Sequence, residues 1–245
     1  MRKILGRSAI AAALIGMATM ATAAKYEAVD VTDGGKITGA VSAGDAKPDV
    51  RTFTISKDTA ICGTGTRDVN FVSIKDGMLQ DAVVFLVDVK SGKPMPEELK
   101  SITINQKKCT FVPYLSVMAN QGDMTAVNDD ATLHNIHTYE QIGKARRTVL
   151  NVSQPNQGDT FTKPIKLRRG DAMKVECDAH DFMHGFVFVA KNPYFAVVDE
   201  SGHFEIDDVP AGTYKVKLWH GVLGEKDAGE VTVDANGEAT IDLSY

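Results

Sequence analysis

The 245-residue sequence predicts an all-β protein, and three observations predict it. Short runs of β-branched or alternating apolar and polar residues recur along the whole chain. Gly, Asp, Asn and Pro turns such as Asp33-Gly34-Gly35, Asn120-Gln121-Gly122-Asp123 and Asn236-Gly237 separate them. No stretch sustains a 3.6-residue period. In chain order the strand signals fall at 37–41, 52–55, 83–89, 101–104, 124–127, 172–175, 185–189, 195–198, 214–218, 229–233 and 239–243. Residues 96–100 are compatible with one helical turn. Two stretches read differently. Residues 57–70 are loop-like and hold Cys62, and the polar segment 140–157, with Arg146, Arg147 and Pro155, reads as a long connection. Many short strands with regular turns argue for sandwiches or barrels.

Composition narrows the function. The chain is 43% hydrophobic and 24% charged, which suits a globular protein and excludes a disordered or collagen-like one. A net charge of −5 gives no electrostatic footprint for nucleic acid. Arg2, Lys3 and Arg7 precede an apolar stretch and the small-x-small pattern Ala21-Thr22-Ala23, so residues 1–23 read as a signal peptide. The apolar run is short of the ~20 residues that a membrane span needs. The expected location is therefore the periplasm or the exterior. Cleavage lowers Lys+Arg from 27 to 24 against 32 Asp+Glu, leaving an acidic mature chain of net charge −8. In an oxidising compartment thiols tend to pair, and three cysteines cannot all pair within one chain.

One segment concentrates soft donors. Cys177-Asp178-Ala179-His180-Asp181-Phe182-Met183 follows one strand signal and precedes another. Thiolate, imidazole and thioether on one tight loop favour copper, and a His₂Cys site with a weak axial Met is an electron-transfer copper site. Zinc is the rival metal, but Met is a poor zinc ligand and structural zinc usually takes more than one Cys. A second His is required, and the segment Asn128-Asp129-Asp130-Ala131-Thr132-Leu133-His134-Asn135-Ile136-His137 offers it.

This pattern resembles the cupredoxin family. Cys-x₂-His-x₂-Met looks like a blue copper loop, and its short spacing is most similar to amicyanin-type members. The upstream His134-Asn135-x-His137 is similar to their other ligand segment. The resemblance covers roughly 101–190, taking in Phe111-Val112-Pro113, Gly122-Asp123, Asn128-x-Asp130, His134-Asn135, Gly170-Asp171 and Cys177 in the family's order. Ala179 and Asp181 depart from it, standing where such loops often carry prolines. The resemblance implies one type 1 copper held by His134, Cys177, His180 and axial Met183. It implies that Asn135 ties the two ligand segments together. His137 and His184 are possible additional site residues, although His137 on a strand would share a face with Asn135 rather than His134. His203 and His220 read as a surface and a structural residue. With Cys177 given to the metal by the resemblance, Cys62 and Cys109 are the natural disulfide pair. The alternative is two free buried thiols.

The C-terminal motifs Asp199-x-x-Gly202-x-Phe204 and Pro210-x-Gly212-x-Tyr214 resemble the carboxypeptidase-regulatory-like, transthyretin-type β-sandwich. That family begins with strands like 37–41 and 82–86, which here precede the copper segment. The expected organisation is a signal peptide (1–23) and a sandwich in two parts (26–100 and 191–245), with a Greek-key cupredoxin domain (101–190) inserted between them. Two unrelated β regions flanking the cupredoxin are the alternative. The combination is similar to exported proteins of the methylamine-utilisation type.

The resemblance implies a non-enzymatic one-electron carrier. Its transient partner would be a c-type cytochrome or a quinoprotein dehydrogenase, docking on an apolar rim around His180 and Phe182. The competing expectation is a copper-binding, storage or interaction module, with carbohydrate or protein bound through the second sandwich. A copper enzyme would need an open coordination position, against which Met183 argues.

Overall fold

The computed structural model describes residues 26–245, so the expected signal peptide lies outside the described residues. Within them no helix is long and apolar enough to cross a membrane. The architecture is an all-β sandwich built of several sheets. Its layers follow from which strands are apolar on one face and which on two.

Strands Phe111–Val112, Ser101–Gln106, Asp123–Asn128 and Thr160–Pro164 form one sheet in that order. Strands Leu115–Ala119, His184–Ala190, Ala172–Glu176, His134–Ile142 and Ala145–Gln154 form the sheet facing it. Ile104, Met124 and Ala126 of the first sheet meet Ile136, Met173, Val175, Val187 and Val189 of the second in one buried core. Beyond residue 190 the chain returns to its beginning. Phe195–Val197, Ala82–Val87, Gly212–His220 and Gly224–Val233 make a third, antiparallel sheet. Gly35–Ser42 organises a fourth, pairing with His203–Val209, Met78–Leu79, Glu238–Thr240 and Leu243–Ser244. Ala82, Val84, Leu86, Val216 and Leu218 face Ile37, Val41, Phe204 and Ile206 in a second core.

The two pairs of sheets are stacked, and the register explains how. Val187 and Val189 point into the first core, while Phe186, Phe188 and Ala190 of the same strand point the other way. There they meet Val83, Phe85 and Trp219, the alternates of Ala82, Val84 and Leu218. The rings form an aromatic seam, with Phe85–Phe188 centroids 5.0 Å apart and Phe188–Trp219 centroids 5.7 Å apart. A strand covered on both faces must be apolar throughout, which is why 82–87 and 184–190 are nearly continuous hydrophobic runs rather than alternating ones.

Two segments correct the sequence reading. Residues 140–157 are not a long connection, because His134–Ile142 and Ala145–Gln154 form a hairpin. Its second strand lies at a sheet edge and is largely exposed, so its sequence is polar. Residues 57–70 are not a loop either. Asp49–Ile55 and Gly65–Val72 pair as a two-stranded hairpin whose tip carries the helical turn Thr59–Cys62. This hairpin is a strap across the end of the first sandwich. Ile55 and Cys62 enter that core, and Phe53 and Val69 pack against it. A disulfide between Cys62 and Cys109 fastens it there.

Candidate metal centre

Three neighbouring strands deliver the candidate ligands to one end of the first sandwich. His134 opens its strand, Cys177 follows Ala172–Glu176, and Met183 precedes His184–Ala190. Cross-strand pairs His137–Glu176 and Glu176–His184 hold these ends level. Two successive turns shape the loop. His180 N–H donates to the Cys177 carbonyl at 3.3 Å, and Met183 N–H donates to the His180 carbonyl at 3.0 Å. Each turn advances the chain by three residues, so the i, i+3, i+6 spacing of Cys, His and Met gathers all three on one side.

The donor atoms converge. Cys177 Sγ lies 3.7 Å from His180 Nδ1 and 4.0 Å from His134 Nδ1, and the two Nδ1 atoms are 3.1 Å apart. A triangle of these sides suits one ion at about 2.0–2.3 Å from each donor, the usual range for metal–imidazole and metal–thiolate bonds. His134, Cys177, His180 and Met183 are all buried, and Met183 shares the core with Cys177 and Phe182.

The outer ring nitrogens decide the chemistry. His134 Nε2 lies 2.9 Å from Asp130 Oδ2, and His180 Nε2 lies 3.0 Å from Asp58 Oδ2. The hydrogen-bond network assigns the proton of each ring to Nε2, leaving both Nδ1 lone pairs aimed at the same point. Two lone pairs 3.1 Å apart in a dry interior repel unless a cation sits between them. The donor set thus fits a soft, thiophilic cation such as copper.

Each carboxylate is itself held. Asp130 accepts from the backbone N–H groups of Lys108 and Cys109, both at 2.7 Å. Burial pushes its carboxyl up, but these donors and His134 outweigh that and hold it low. Asn128 braces the same loop, its Nδ2 donating to the carbonyls of Thr132 and Gln154. Asp58 is held low by Thr132 and His180. Burial pushes the Cys177 thiol up, against the backbone N–H groups of Asn135, Ala179 and His180. Burial also lowers His180, with Asp58 opposing.

Asn135 joins the two ligand segments. Its Oδ1 accepts from Asp178 N–H at 2.5 Å, its Nδ2 donates to Asp178 Oδ2, and its backbone N–H points at Cys177 Sγ from 3.5 Å. His137 lies outside the donor triangle. It contacts Asp178 at 3.0 Å and stacks on Tyr139 with centroids 4.0 Å apart. His184 is also elsewhere, its ring set against Phe53 and Phe71 of the strap. Among the described residues, the three-donor clusters are His134–Cys177–His180, Cys62–Cys109–His180 and Cys109–Asp130–His134.

The apolar rim expected around His180 is covered. His180 is 1% exposed and Phe182 5% exposed. The strap's Arg67 lies over the Phe182 ring at 4.7 Å and donates to the carbonyls of Cys62 and Cys109. Sequence reasoning missed both carboxylates. Asp130 stands four residues before His134, a signal that could have found it. Asp58 lies 122 residues from His180 and has no local signal.

Comparisons with known proteins give two kinds of match. Residues 188–241 match a family model described as polysaccharide lyase family 4, domain II. "Probable rhamnogalacturonate lyase B" of Aspergillus niger is 27% identical over 115 residues, covering 45% of this chain and 16% of that protein. The chain therefore spans only a small part of the curated relative it matches. Among solved structures, a purple cupredoxin from Nitrosopumilus maritimus is 21% identical with a TM-score of 0.31, over 36% of this chain and 98% of that one. A reduced Cu(I) amicyanin variant is 19% identical with a TM-score of 0.30, over 37% of this chain and 82% of that one. A copper-containing nitrite reductase from Thermus scotoductus is 16% identical with a TM-score of 0.30, over 42% and 24%.

Proposed function

We propose that this is an exported type 1 copper protein that carries single electrons. His134, Cys177, His180 and Met183 would hold the ion. The observation that carries this reading is the pair of Nδ1 atoms 3.1 Å apart beside a buried thiol, with both Nε2 atoms committed to carboxylates. Copper, when bound, supplies a one-electron couple. The residues supply the rest. His134 and Cys177 sit at strand ends tied through Asn135, so the donors have little freedom to move. Burial excludes water from the site. Both favour electron transfer over substrate binding.

On this reading 101–190 is a cupredoxin domain set within a sandwich made of 26–100 and 191–245. The mature protein works in the periplasm or outside the cell. Its acidic charge suits a transient partner with a basic face, such as a c-type cytochrome or a quinoprotein dehydrogenase. Adding Cu(II) to the purified mature protein tests the reading. An intense thiolate-to-copper charge-transfer band in the visible, with reversible one-electron voltammetry, is expected. A colourless complex, or copper binding unchanged by Cys177→Ala, overturns it.

A second reading is favoured by the match over 188–241 and by the uronate-specific name of the curated relative. In it the second sandwich binds an acidic oligosaccharide, beside a metal centre that stores copper. Calorimetric titration with rhamnogalacturonan fragments tests this, and heats no larger than dilution controls would remove it.

A further inference from the structure

Resting on the copper reading, we propose that the strap is a wall of the metal centre and that Asp58 is the positioning residue for His180. Four observations converge. Asp58 Oδ2 meets His180 Nε2 at 3.0 Å, the only ring nitrogen of His180 directed away from the donor triangle. Asp58 belongs to the strap and not to either sheet of the sandwich that carries the ligands. Arg67 donates to the carbonyls of Cys62 and Cys109, both at 2.6 Å, and so clamps the strap at the disulfide. The disulfide sulfurs themselves lie within 4.8 Å of a ring nitrogen of His180.

The physical consequence is specific. A carboxylate on the outer nitrogen fixes the tautomer, orients the ring and makes Nδ1 a stronger donor. A stronger imidazole donor favours the more highly charged Cu(II) over Cu(I), so Asp58 lowers the reduction potential. The strap also replaces solvent at the histidine edge, which slows entry of external chelators and keeps partners from touching His180 directly. The backbone conformation fits the assignment. Asp58 has φ +50°, a left-handed conformation that Asp, Asn and Gly adopt readily.

That conformation also supplies clean variants. Asp58→Gly removes the carboxylate without backbone strain, and Asp58→Asn keeps an acceptor oxygen but not the charge. In the metal-free protein at neutral pH, nitrogen-15 NMR should show a slowly exchanging His180 Nε2–H in the wild type and Asp58→Asn. It should be lost to solvent exchange in Asp58→Gly. With copper bound, Asp58→Gly should keep the charge-transfer band, raise the potential and release copper to a chelator roughly 10–100-fold faster, the range carried by outer partners of metal ligands. Asp58→Asn should fall between. Equal Nε2–H exchange in the wild type and Asp58→Gly overturns the proposal, as do equal potentials and release rates. A wild type without the visible band overturns the copper reading instead. The metal-free NMR comparison still decides the role of Asp58 in that case.

Discussion

The metal end and the aromatic seam are both deeply buried, yet they are built on opposite principles. The seam joins two sandwiches through the packed rings of Phe85, Phe186, Phe188 and Trp219. Its attraction is non-directional and scales with area. The metal end buries His134, His180, Asn128, Asp130, Asn135 and Gln154. Gln154 accepts from the side chain of Gln106 and donates to the carbonyls of Ala126 and Asp159, so both ends of its amide are satisfied. Buried polar groups without partners are costly, and with partners they admit one geometry. The seam therefore contributes stability and tolerates repacking, whereas the network fixes positions. Mutations should separate the two properties.

The largest expected contrast pairs Cys177→Ala with Trp219→Ala. The first should abolish the visible copper band and leave thermal unfolding of the metal-free protein close to the wild type. The second should cost about 3–5 kcal/mol, as large-to-small changes at buried aromatics do, and leave the band unchanged in the protein that remains folded. Denaturant unfolding and absorption spectra check both. A spectral change in the Trp219 variant would show that the seam also shapes the site.

Glu140 tests whether a polar network can carry stability without serving a metal. Its carboxylate is fully buried and accepts from the backbone N–H groups of Arg168, Arg169 and Gly170 and from the Arg147 guanidinium. Gly170 permits this, because a Cβ there would lie 2.0 Å from the Gln141 carbonyl oxygen. Burial pushes the Glu140 carboxyl up, but these donors reverse that and hold it at about 2. Its folded-state value lies below the unfolded one, so its stabilisation is complete above about 4.5 and fades as pH falls toward about 2. Glu140→Ala should cost at least ~3 kcal/mol at neutral pH, in the range for breaking a buried charged network. It should also flatten the acid limb of the stability curve, read by urea unfolding at stepped pH.

The same contrast explains what could be read from the sequence. Strands 82–87 and 184–190 were legible because cover on both faces demands continuous apolar runs. The gathering of Cys177, His180 and Met183 was legible because they fall within seven residues, where turn spacing alone places them together. The strand Ala145–Gln154 was not, because an exposed edge strand carries the arginines and polar residues of a loop. Asp58 was not, because its role depends on the strap folding over a loop 122 residues later. Contacts set by tertiary placement of one polar atom leave no period in the sequence.

A smaller effect is expected at Asp130, the counterpart of Asp58 on the other ring. Asp130→Asn should weaken copper binding roughly 10–100-fold and shift the band only slightly, since an amide oxygen can still accept from His134 Nε2. Competition with a chelator of known affinity measures it. An unchanged affinity would mean that Lys108 and Cys109, not the carboxylate charge, hold the loop in place.

A further test lies outside both regions, at His220, which is buried with its Nδ1 accepting from the backbone N–H groups of Val222 and Leu223. Burial drives its pKa down to about 4, so the folded protein keeps it neutral where the unfolded chain, near 6.5, takes up a proton. Stability should therefore fall as pH drops from about 6.5 toward about 4, by at most ~1.4 kcal/mol per pH unit from this one group, and level off below. His220→Gln should remove that slope while leaving the visible copper band untouched. If the slope persists in His220→Gln and vanishes when His184 is replaced instead, the pH sensitivity belongs to the strap contact. The metal end would then carry stability as well as geometry.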